Sequence, residues 1–526
     1  MNKKKHIIAA TGILLILICS VKLYQTFGYK IADTTMIMKV VEEITIHYEF
    51  YQVIATMMLF ILGLVVTIPF FNKLGQGWCY ILAMPIANAV WGILSASLLF
   101  VNIPYNRYTM ATGMIIILIG VLIVFKDEYK NISLSCIVEV LCVVFLITIL
   151  ATIGIFPIFM SSDSYYFIMQ YGELITKFSR LSSDYVGTYM TWTGITPALT
   201  SSFASMWGFE NIYAIHYLLI FSMYGCIGAS VYCYAVKSYS KIKAGIFAIA
   251  AILTTAVVPG ISYMSIWIIS NTYFMVYIVF VIMLLAVFRE KINRRIIGVI
   301  SLFCIWLALS RPEGALIMCF YIICMSYLKL TRKQVLALYL PICIMQLLFF
   351  GKLVYEYMIG AKQAKNVMLT QEVAAILILA LILTAGYIVL YNKKWVEYIR
   401  KHMTIIVLVG LCVASLGLGL LEVDKLSNNI LVIAKNFASW WWNYVPLMII
   451  VVEIVKCCLK CRNKFFDLVV IGFVLCNFAI CLGRPHGLRM GIGDSYNRMC
   501  LSILPLYVVT TICSFMEGSC KQSKKN

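Results

Sequence analysis

The chain has 526 residues, of which 63% are hydrophobic and only 12% are charged. A soluble protein of this size carries about twice that share of charged residues, so the composition excludes a soluble enzyme and indicates a polytopic membrane protein. The formal net charge is +20. Lys and Arg lie in short loops between apolar runs, however, which is typical of membrane topology and argues against a nucleic-acid partner.

The N-terminal segment begins Met1-Asn-Lys-Lys-Lys-His and continues into an apolar run at residues 7–23. It resembles a signal peptide, but no small-x-small cleavage site follows the run. We therefore interpret it as an uncleaved first helix.

Apolar runs recur along the whole chain, and their lack of strand-like alternation predicts helices. The fold class is therefore an all-α polytopic membrane protein, with about sixteen transmembrane helices of roughly 20 residues each. The predicted spans are 7–23, 51–71, 78–101, 110–125, 132–159, 212–235, 244–258, 270–288, 296–309, 315–328, 335–350, 373–391, 403–421, 444–455, 465–482 and 501–515.

The charged loops orient these spans. Segments 237–243, 289–295 and 456–464 are rich in Lys and Arg and are assigned to the inside, which places both termini in the cytoplasm. Residues 1–131 carry few charges at their outer ends, so we predict a four-helix accessory region there. Residues 132–526 form the predicted catalytic region of a multi-pass cell-membrane protein.

The longest outer segment, residues 160–211, contains aromatic and apolar stretches that predict juxtamembrane helices. It opens with Phe159-Met-Ser-Ser-Asp-Ser-Tyr-Tyr, which places Asp163 at the outer end of the fifth helix beside Tyr165, and Asp184 follows later. A carboxylate in this partly dry setting could act as a general base toward an acceptor hydroxyl. The alternative is a helix cap or a solvated loop acid.

The turn Ser310-Arg-Pro-Glu-Gly314 joins two short apolar runs on the outer side. An arginine this close to hydrocarbon usually faces a partner or a cavity, and the Arg311 guanidinium could bind a phosphate with two parallel hydrogen bonds. Alternatively, Arg311 pairs with Glu313 and closes a turn that Pro312 and Gly314 shape.

The last outer loop, residues 483–498, holds Arg484, His486, Arg489 and Arg498 among four glycines and has no lysine. Flexible backbone with forked donors suits a phosphate or a pyrophosphate. The alternative is contact with anionic headgroups at the outer surface. The 19 cysteines lie mostly within apolar runs, and Cys458-Leu-Lys-Cys461 offers too few ligands for a metal site.

Three of these motifs resemble the GT-C superfamily, which comprises polytopic glycosyltransferases that use polyprenyl-phosphate-linked sugars. Ser-Ser-Asp163-Ser-Tyr-Tyr, followed by Trp192-Thr-Gly-Ile-Thr-Pro, is similar to the acid and the proline-containing juxtamembrane helices of that superfamily. Ser310-Arg-Pro-Glu-Gly314 resembles an Arg-Pro turn, and Asp494-Ser-Tyr-Asn-Arg498 resembles a late arginine segment. The acid follows the fifth predicted helix rather than the first, and no second acid stands beside it.

The resemblance implies a transferase that moves a sugar, with inversion or with undetermined stereochemistry, from a polyprenyl-phosphate donor in the bilayer to a cell-envelope glycan, lipid or protein. Asp163 is the implied catalytic base, and a divalent cation is the one cofactor left open. The implied substrate-binding residues are Arg311, Glu313, Arg484, His486, Arg489, Arg498, Tyr165 and Asp184.

Two other functions fit the same sequence. One is a polysaccharide polymerase or ligase that handles polyprenyl-pyrophosphate glycans through Arg484, His486 and Arg489. The other is a lipid or glycan transporter without chemistry. The transferase hypothesis requires the Asp163 carboxylate and a guanidinium to share one cavity that opens to lipid. We expect Arg311 to be the neighbour of Asp163 in this cavity.

Overall fold

The computed structural model describes residues 50–71, 75–129, 134–181, 194–209, 211–311, 313–359, 371–439, 441–443, 445–482, 487–491 and 493–523. Across these ranges the chain is helical and forms no β-strand beyond one isolated bridge. The predicted first helix at 7–23, and the predicted site residues Asp184, Arg484 and His486, lie outside the described residues.

The helices follow one another along the chain with short connections. In order they are α1 (Phe50–Phe71), α2 (Gln76–Phe100), α3 (Arg107–Val124), α4 (Leu134–Thr152), α5 (Ser162–Ser164), α6 (Tyr171–Phe178), α7 (Thr196–Trp207), α8 (Tyr213–Ala235), α9 (Lys241–Val257), α10 (Pro259–Ile266), α11 (Ser270–Phe288), α12 (Arg294–Ala308), α13 (Gly314–Met325), α14 (Arg332–Ile359), α15 (Gln371–Val389), α16 (Lys394–Lys401), α17 (Met403–Leu421), α18 (Val423–Phe437), α19 (Val445–Cys458), α20 (Lys464–Leu482), α21 (Ser495–Ser502) and α22 (Leu504–Ser523). A π-helix, Tyr165–Gln170, joins α5 to α6, and 3₁₀ turns cover Lys126–Tyr129 and Ser326–Leu328.

Within the described ranges, ten helices are long and apolar enough to cross a membrane, or up to twelve if each of two bent helix pairs counts as one span. The all-α, multi-pass architecture predicted from the sequence is therefore confirmed. The predicted spans 296–309, 315–328 and 444–455 coincide with α12, α13 and α19, whose 15, 12 and 14 residues fall short of a full bilayer crossing. The count of sixteen and the cytoplasmic placement of the termini stay predictions.

Helix α11 forms the centre of the bundle. Nearly all of its side chains are buried, and it packs against α8, α12, α21 and α22. By contrast, α3 and α17 are equally apolar but largely exposed. A helix that is hydrophobic all round is either a core helix or a lipid-facing one, so the bundle contains both kinds.

The described helices of the predicted accessory region pack closely on the rest of the bundle. Helix α2 contacts α7, α8 and α12 as well as α1. A polar contact crosses this boundary, because the Asn88 amide donates to the Tyr277 hydroxyl at 2.9 Å and accepts from the Thr200 hydroxyl at 3.0 Å. The division at residue 131 stays a prediction, and α2 shares one hydrophobic core with the helices that follow.

A helix bend and a short backbone pairing position the polar segments that connect the helices near Asp163. Helices α9 and α10 meet at Pro259 with a bend of 78°, because proline cannot continue a preceding helix but is suited to begin a new one. The chain that leaves α10 then pairs with the chain that enters α5. Phe159 N–H donates to Ile266 O at 3.0 Å, and Ile268 N–H donates to Phe159 O at 3.3 Å.

Candidate active site at the Asp163 face

Four segments meet at one end of the bundle, which we call the Asp163 face. They are the start of α5, the α10–α11 connection, the α12–α13 turn and the start of α21. These segments are distant in sequence, so tertiary packing alone brings their charged side chains together.

Asp163 and Arg498 form the central ion pair of this site. Arg498 Nη1 lies 2.7 Å from Asp163 Oδ2, and the two side chains are 34% and 12% exposed. The Arg498 guanidinium also lies over the Trp267 ring, 5.5 Å from its centroid. The carboxylate therefore reaches the surface of the site while its cation is held inside.

The start of α21 fixes the position of Arg498. Asp494 caps this helix, with Oδ1 accepting from the backbone N–H groups of Tyr496 and Asn497 and Oδ2 accepting from Arg489 N–H. A carboxylate at a helix N-terminus satisfies amides that have no partner within the helix. Arg498 lies one turn further along and so projects from a capped, well-defined helix end.

Arg311 supports the same cluster from the α12–α13 turn. Its Nε and Nη2 donate to Glu313 Oε1 at 2.9 and 2.7 Å, Nη1 donates to Asn271 Oδ1 at 3.0 Å, and Nη2 also donates to Ser495 Oγ at 2.9 Å. The pairing of Arg311 with Glu313 was one of the two sequence alternatives, and it is present. Arg311 is also close enough to Arg498 for the two positive charges to repel.

The turn that carries Arg311 rests on α7. Gly194, just before α7, has φ +74°, and a Cβ at this position would lie 2.4 Å from the Arg311 backbone nitrogen. Ile195 N–H donates to Leu309 O at 2.8 Å. Glycine is required here both by its left-handed conformation and by the close backbone approach.

Asp163 is held by the segment around Trp267. Trp267 Nε1–H donates to Ser161 Oγ at 2.9 Å, and Ser161 and Ser164 exchange backbone-to-hydroxyl hydrogen bonds across the start of α5. One indole therefore anchors the loop of the carboxylate and also provides the surface under its cation.

Two buried donors in this cluster have no hydrogen-bond partner within the described residues, namely Arg498 Nε and Asn271 Nδ2. A buried polar group left without a partner costs about 1–3 kcal/mol. Both groups belong to side chains that already hold the cluster together, so the site has spare N–H donors for the oxygen of a ligand.

The loop that carries Arg489 is tied down by helix α18. Asn429 Oδ1 accepts from Leu488 N–H at 2.8 Å, and Asn436 accepts from Gly491 N–H at 2.8 Å and donates to Arg489 O at 3.2 Å. The Arg489 side chain itself is exposed. Its backbone is therefore fixed beside Asp494 while its guanidinium is free to approach a ligand.

Tyr165 lies at the edge of the site, at the start of the π-helix. Its side chain is 36% exposed, and its ring contacts that of Tyr166 edge to face at 5.2 Å between centroids. π-helical turns often occur at functional sites.

The structure thus brings together Asp163, Arg311, Glu313 and Arg498, with Arg489 and Tyr165 close by in the chain. The direct contact of Asp163 is Arg498, and the expected neighbour, Arg311, joins the cluster through Ser495 at the start of the same helix. Arg311 already satisfies its own turn through Glu313, and Arg498 makes the contact instead.

Sequence reasoning missed four supporting residues: Trp267, Asn271, Asn429 and Asn436. The two α18 asparagines carry a readable signal, since a spacing of seven puts them on one helix face, two turns apart. Asn271 and Trp267 lie in an apolar stretch and carry no comparable signal.

The described residues contain no group of three or more His, Cys, Asp or Glu side chains that could hold a metal ion. The involvement of a divalent cation stays an open expectation. Comparison with protein-family models, with curated proteins and with solved structures finds no match for this chain.

Proposed function

We propose that this protein is a membrane glycosyltransferase that transfers a sugar from a polyprenyl-phosphate donor to a cell-envelope acceptor. The observation that carries the proposal is the partly exposed Asp163 carboxylate, 2.7 Å from Arg498 and in one cluster with Arg311. This arrangement supplies a proton acceptor and two cations within the width of one substrate, which is what glycosyl transfer from a lipid phosphate requires.

In the proposed reaction, the acceptor hydroxyl oxygen attacks the anomeric carbon of the donor sugar and forms the new glycosidic bond. The bond between that carbon and the phosphate oxygen breaks, and the lipid phosphate leaves with the electron pair. Asp163 takes the proton of the hydroxyl. Arg498 and Arg311 stabilise the negative charge that develops on the leaving phosphate.

The resting ion pair adds a step to this scheme. Arg498 occupies Asp163 Oδ2 before any substrate binds. A donor phosphate competes with Asp163 for the guanidinium, and its arrival turns the carboxylate toward the acceptor hydroxyl. The spare Arg498 Nε and Asn271 Nδ2 donors are available for the phosphate oxygens.

The second candidate is a polymerase or ligase that acts on polyprenyl-pyrophosphate glycans. The exposed side chain of Arg489, whose backbone N–H donates to Asp494, favours it, because a pyrophosphate carries a second phosphate to be bound. Transfer of single sugars requires Asp163, whereas this alternative depends more on Arg489.

The test uses the purified full-length protein in proteoliposomes with a panel of polyprenyl-phosphate and polyprenyl-pyrophosphate sugars. For Asp163→Asn we expect turnover about 10²–10⁴-fold below the wild type. The matched control is Asp424→Asn, which removes an exposed acid from the first turn of α18 and should leave turnover unchanged.

Three outcomes would contradict these assignments. Unchanged turnover in Asp163→Asn removes the base role. Loss of activity in Arg489→Ala with tolerance of Asp163→Asn favours the polymerase or ligase. Movement of the lipid-linked sugar across the bilayer without a new glycosidic bond, with every donor of the panel, rejects a transferase altogether.

A further inference from the structure

A second charged surface lies at the other end of α13 from the Asp163 face. Here the connection between α13 and α14 meets the connection between α15 and α16. Tyr391 Oη donates to Leu330 O at 2.6 Å, and Arg332 Nε donates to Ile388 O at 3.0 Å. The two connections therefore form one continuous surface.

Helix α16 lies across the end of a membrane-spanning helix. It is bent by 113° relative to α15, directly after the exposed apolar side chains of Val389 and Leu390. Val396 points into the protein and is fully buried, while Trp395 and Tyr398 are 53% and 64% exposed. A short helix with exposed aromatic rings at the end of an apolar span is typical of a segment that lies in the headgroup layer.

The charges on this surface are almost all positive. Seven basic residues and a single acid, Glu397, fall within residues 326–333 and 388–402. We name the basic residues together the α16 surface: Lys329, Arg332, Lys333, Lys393, Lys394, Arg400 and Lys401. All but Arg400 are exposed.

Arg400, like Arg332, donates to a backbone carbonyl, and it is the one member of the α16 surface that is not exposed. Its guanidinium lies over the Tyr391 ring, 4.2 Å from the centroid, and Nη2 donates to Tyr391 O at 3.4 Å. Its Nε is buried and has no hydrogen-bond partner within the described residues. A stacked guanidinium with a spare donor is suited to an anionic oxygen.

We propose that the α16 surface binds the phosphate headgroups of anionic phospholipids. Polybasic segments next to a membrane span are attracted to anionic lipids, and the exposed Trp395 and Tyr398 place this segment at the depth of the headgroups. The positive-inside rule explains basic loops in general. It does not require the bent helix, the exposed aromatic rings or the fixed Arg400, and these distinguish the α16 surface from the other basic loops.

The experiment measures lipid binding by native mass spectrometry of the full-length protein in a neutral detergent, titrated with phosphatidylglycerol or phosphatidylcholine. The test variant is Lys393→Gln/Lys394→Gln/Lys401→Gln. The matched control, Lys237→Gln/Lys241→Gln/Lys243→Gln, removes three exposed lysines from the α8–α9 connection and the first turn of α9. We expect the test variant to lose about tenfold in apparent phosphatidylglycerol affinity and the control to stay within about twofold of the wild type.

Two further variants separate charge from folding and test the fixed arginine. Lys393→Arg/Lys394→Arg/Lys401→Arg keeps the charge and should keep the affinity, whereas Arg400→Gln should lose about threefold. All variants are first compared with the wild type by thermal unfolding in the same detergent.

The proposal is overturned if the test variant binds phosphatidylglycerol as the wild type does, or if the control loses as much affinity as the test variant. It is also overturned if glycerol phosphate, which has no acyl chains, binds as tightly as the lipid, or if an RNA oligonucleotide displaces the lipid at equal concentration. None of these measurements depends on glycosyl transfer.

Discussion

Two ion-pair clusters in the described chain, one around Asp163 and one around Lys456, lie at opposite ends of its helices and are built differently. At the far end from Asp163, Lys456 Nζ lies 2.8 Å from Glu453 Oε1 and 3.1 Å from Asp467 Oδ1. Tyr507 donates to the same Glu453 oxygen at 3.0 Å, and Arg462 Nε lies 3.1 Å from Asp467 Oδ2. Each carboxylate is therefore met by two donors, and the cation is 4% exposed.

The difference lies in which elements each cluster connects and in which of its charged groups reaches the surface. The Lys456 cluster joins α19, α20 and α22 around a buried cation, which is the arrangement of a structural clamp. The Asp163 cluster joins connections between helices, exposes its carboxylate and leaves buried N–H donors without a partner in the described chain. Charged groups in both clusters are costly to bury, and Glu453 Oε2 of the Lys456 cluster is also buried without a partner among the described residues. What sets the Asp163 cluster apart is a carboxylate that reaches the surface beside unpaired N–H donors, and the proposed function assigns these groups to a ligand.

The strongest test of this difference between the two clusters is Lys456→Met, which removes the cation of the clamp. The buried Asp467 and the partly buried Glu453 then lose the cation that they share, and we expect a loss of about 3–5 kcal/mol in the free energy of unfolding. Denaturant unfolding of the purified protein measures this loss. On the proposed function, the glycosyl-transfer rate per folded molecule should not change, because the cluster lies at the opposite end of α20 from Arg489.

The double variant Lys456→Met/Asp467→Asn provides the control, since it removes one carboxylate together with the cation. It should recover part of the lost stability. A Lys456→Met protein as stable as the wild type would show that the cluster is not a clamp.

The equivalent change at the other cluster is Arg498→Gln, for which we expect a smaller loss of stability, about 1–2 kcal/mol. Asp163 is one-third exposed and can be hydrated when its partner is removed. On the proposed function, the affinity for farnesyl phosphate, a short lipid phosphate, should fall by about tenfold to 150-fold, because a charged hydrogen bond is worth about 1.5–3 kcal/mol.

Equilibrium binding of farnesyl phosphate checks the second part of this prediction. The matched control is Arg462→Gln, which removes the half-exposed arginine of the clamp and should leave farnesyl phosphate binding unchanged. Equal binding in Arg498→Gln and the wild type would separate the Asp163 cluster from any role in phosphate recognition.

The helices could largely be predicted from the sequence, because membrane spans are set by length and apolarity. The predicted spans 270–288 and 403–421 coincide with α11 and α17. Helix α10 was missed, since it begins at Pro259 just after a predicted span and is stabilised by burial within the bundle. The sixteen-span count assumed that every apolar run crosses the bilayer, and short helices such as α13 leave that prediction unconfirmed.

The site could be predicted only in part. Asp163, Arg311 and Arg498 were recognisable because ionisable side chains next to apolar runs are rare. The sequence did not indicate which arginine would contact the Asp163 carboxylate, because this depends on how the start of α21 is placed relative to α5. The contributions of Trp267 and Asn271 also depend on tertiary contacts, namely the indole over which Arg498 lies and the amide that Arg311 binds.

The smallest expected effect concerns Asn436, which links α18 to the loop of Arg489. Asn436→Ala removes the bonds to Gly491 N–H and Arg489 O, and two part-buried hydrogen bonds of this kind together are worth about 1 kcal/mol. The global stability should therefore change little, while amide hydrogen exchange across residues 487–491 becomes faster because the loop opens locally. Ser427→Ala, on an exposed position of the same helix, should leave that exchange unchanged. Exchange in Asn436→Ala as slow as in the wild type would mean that Asn429 and the Asp494 cap hold the loop without Asn436, and the Asp163 face would then be more rigid than its spare donors suggest.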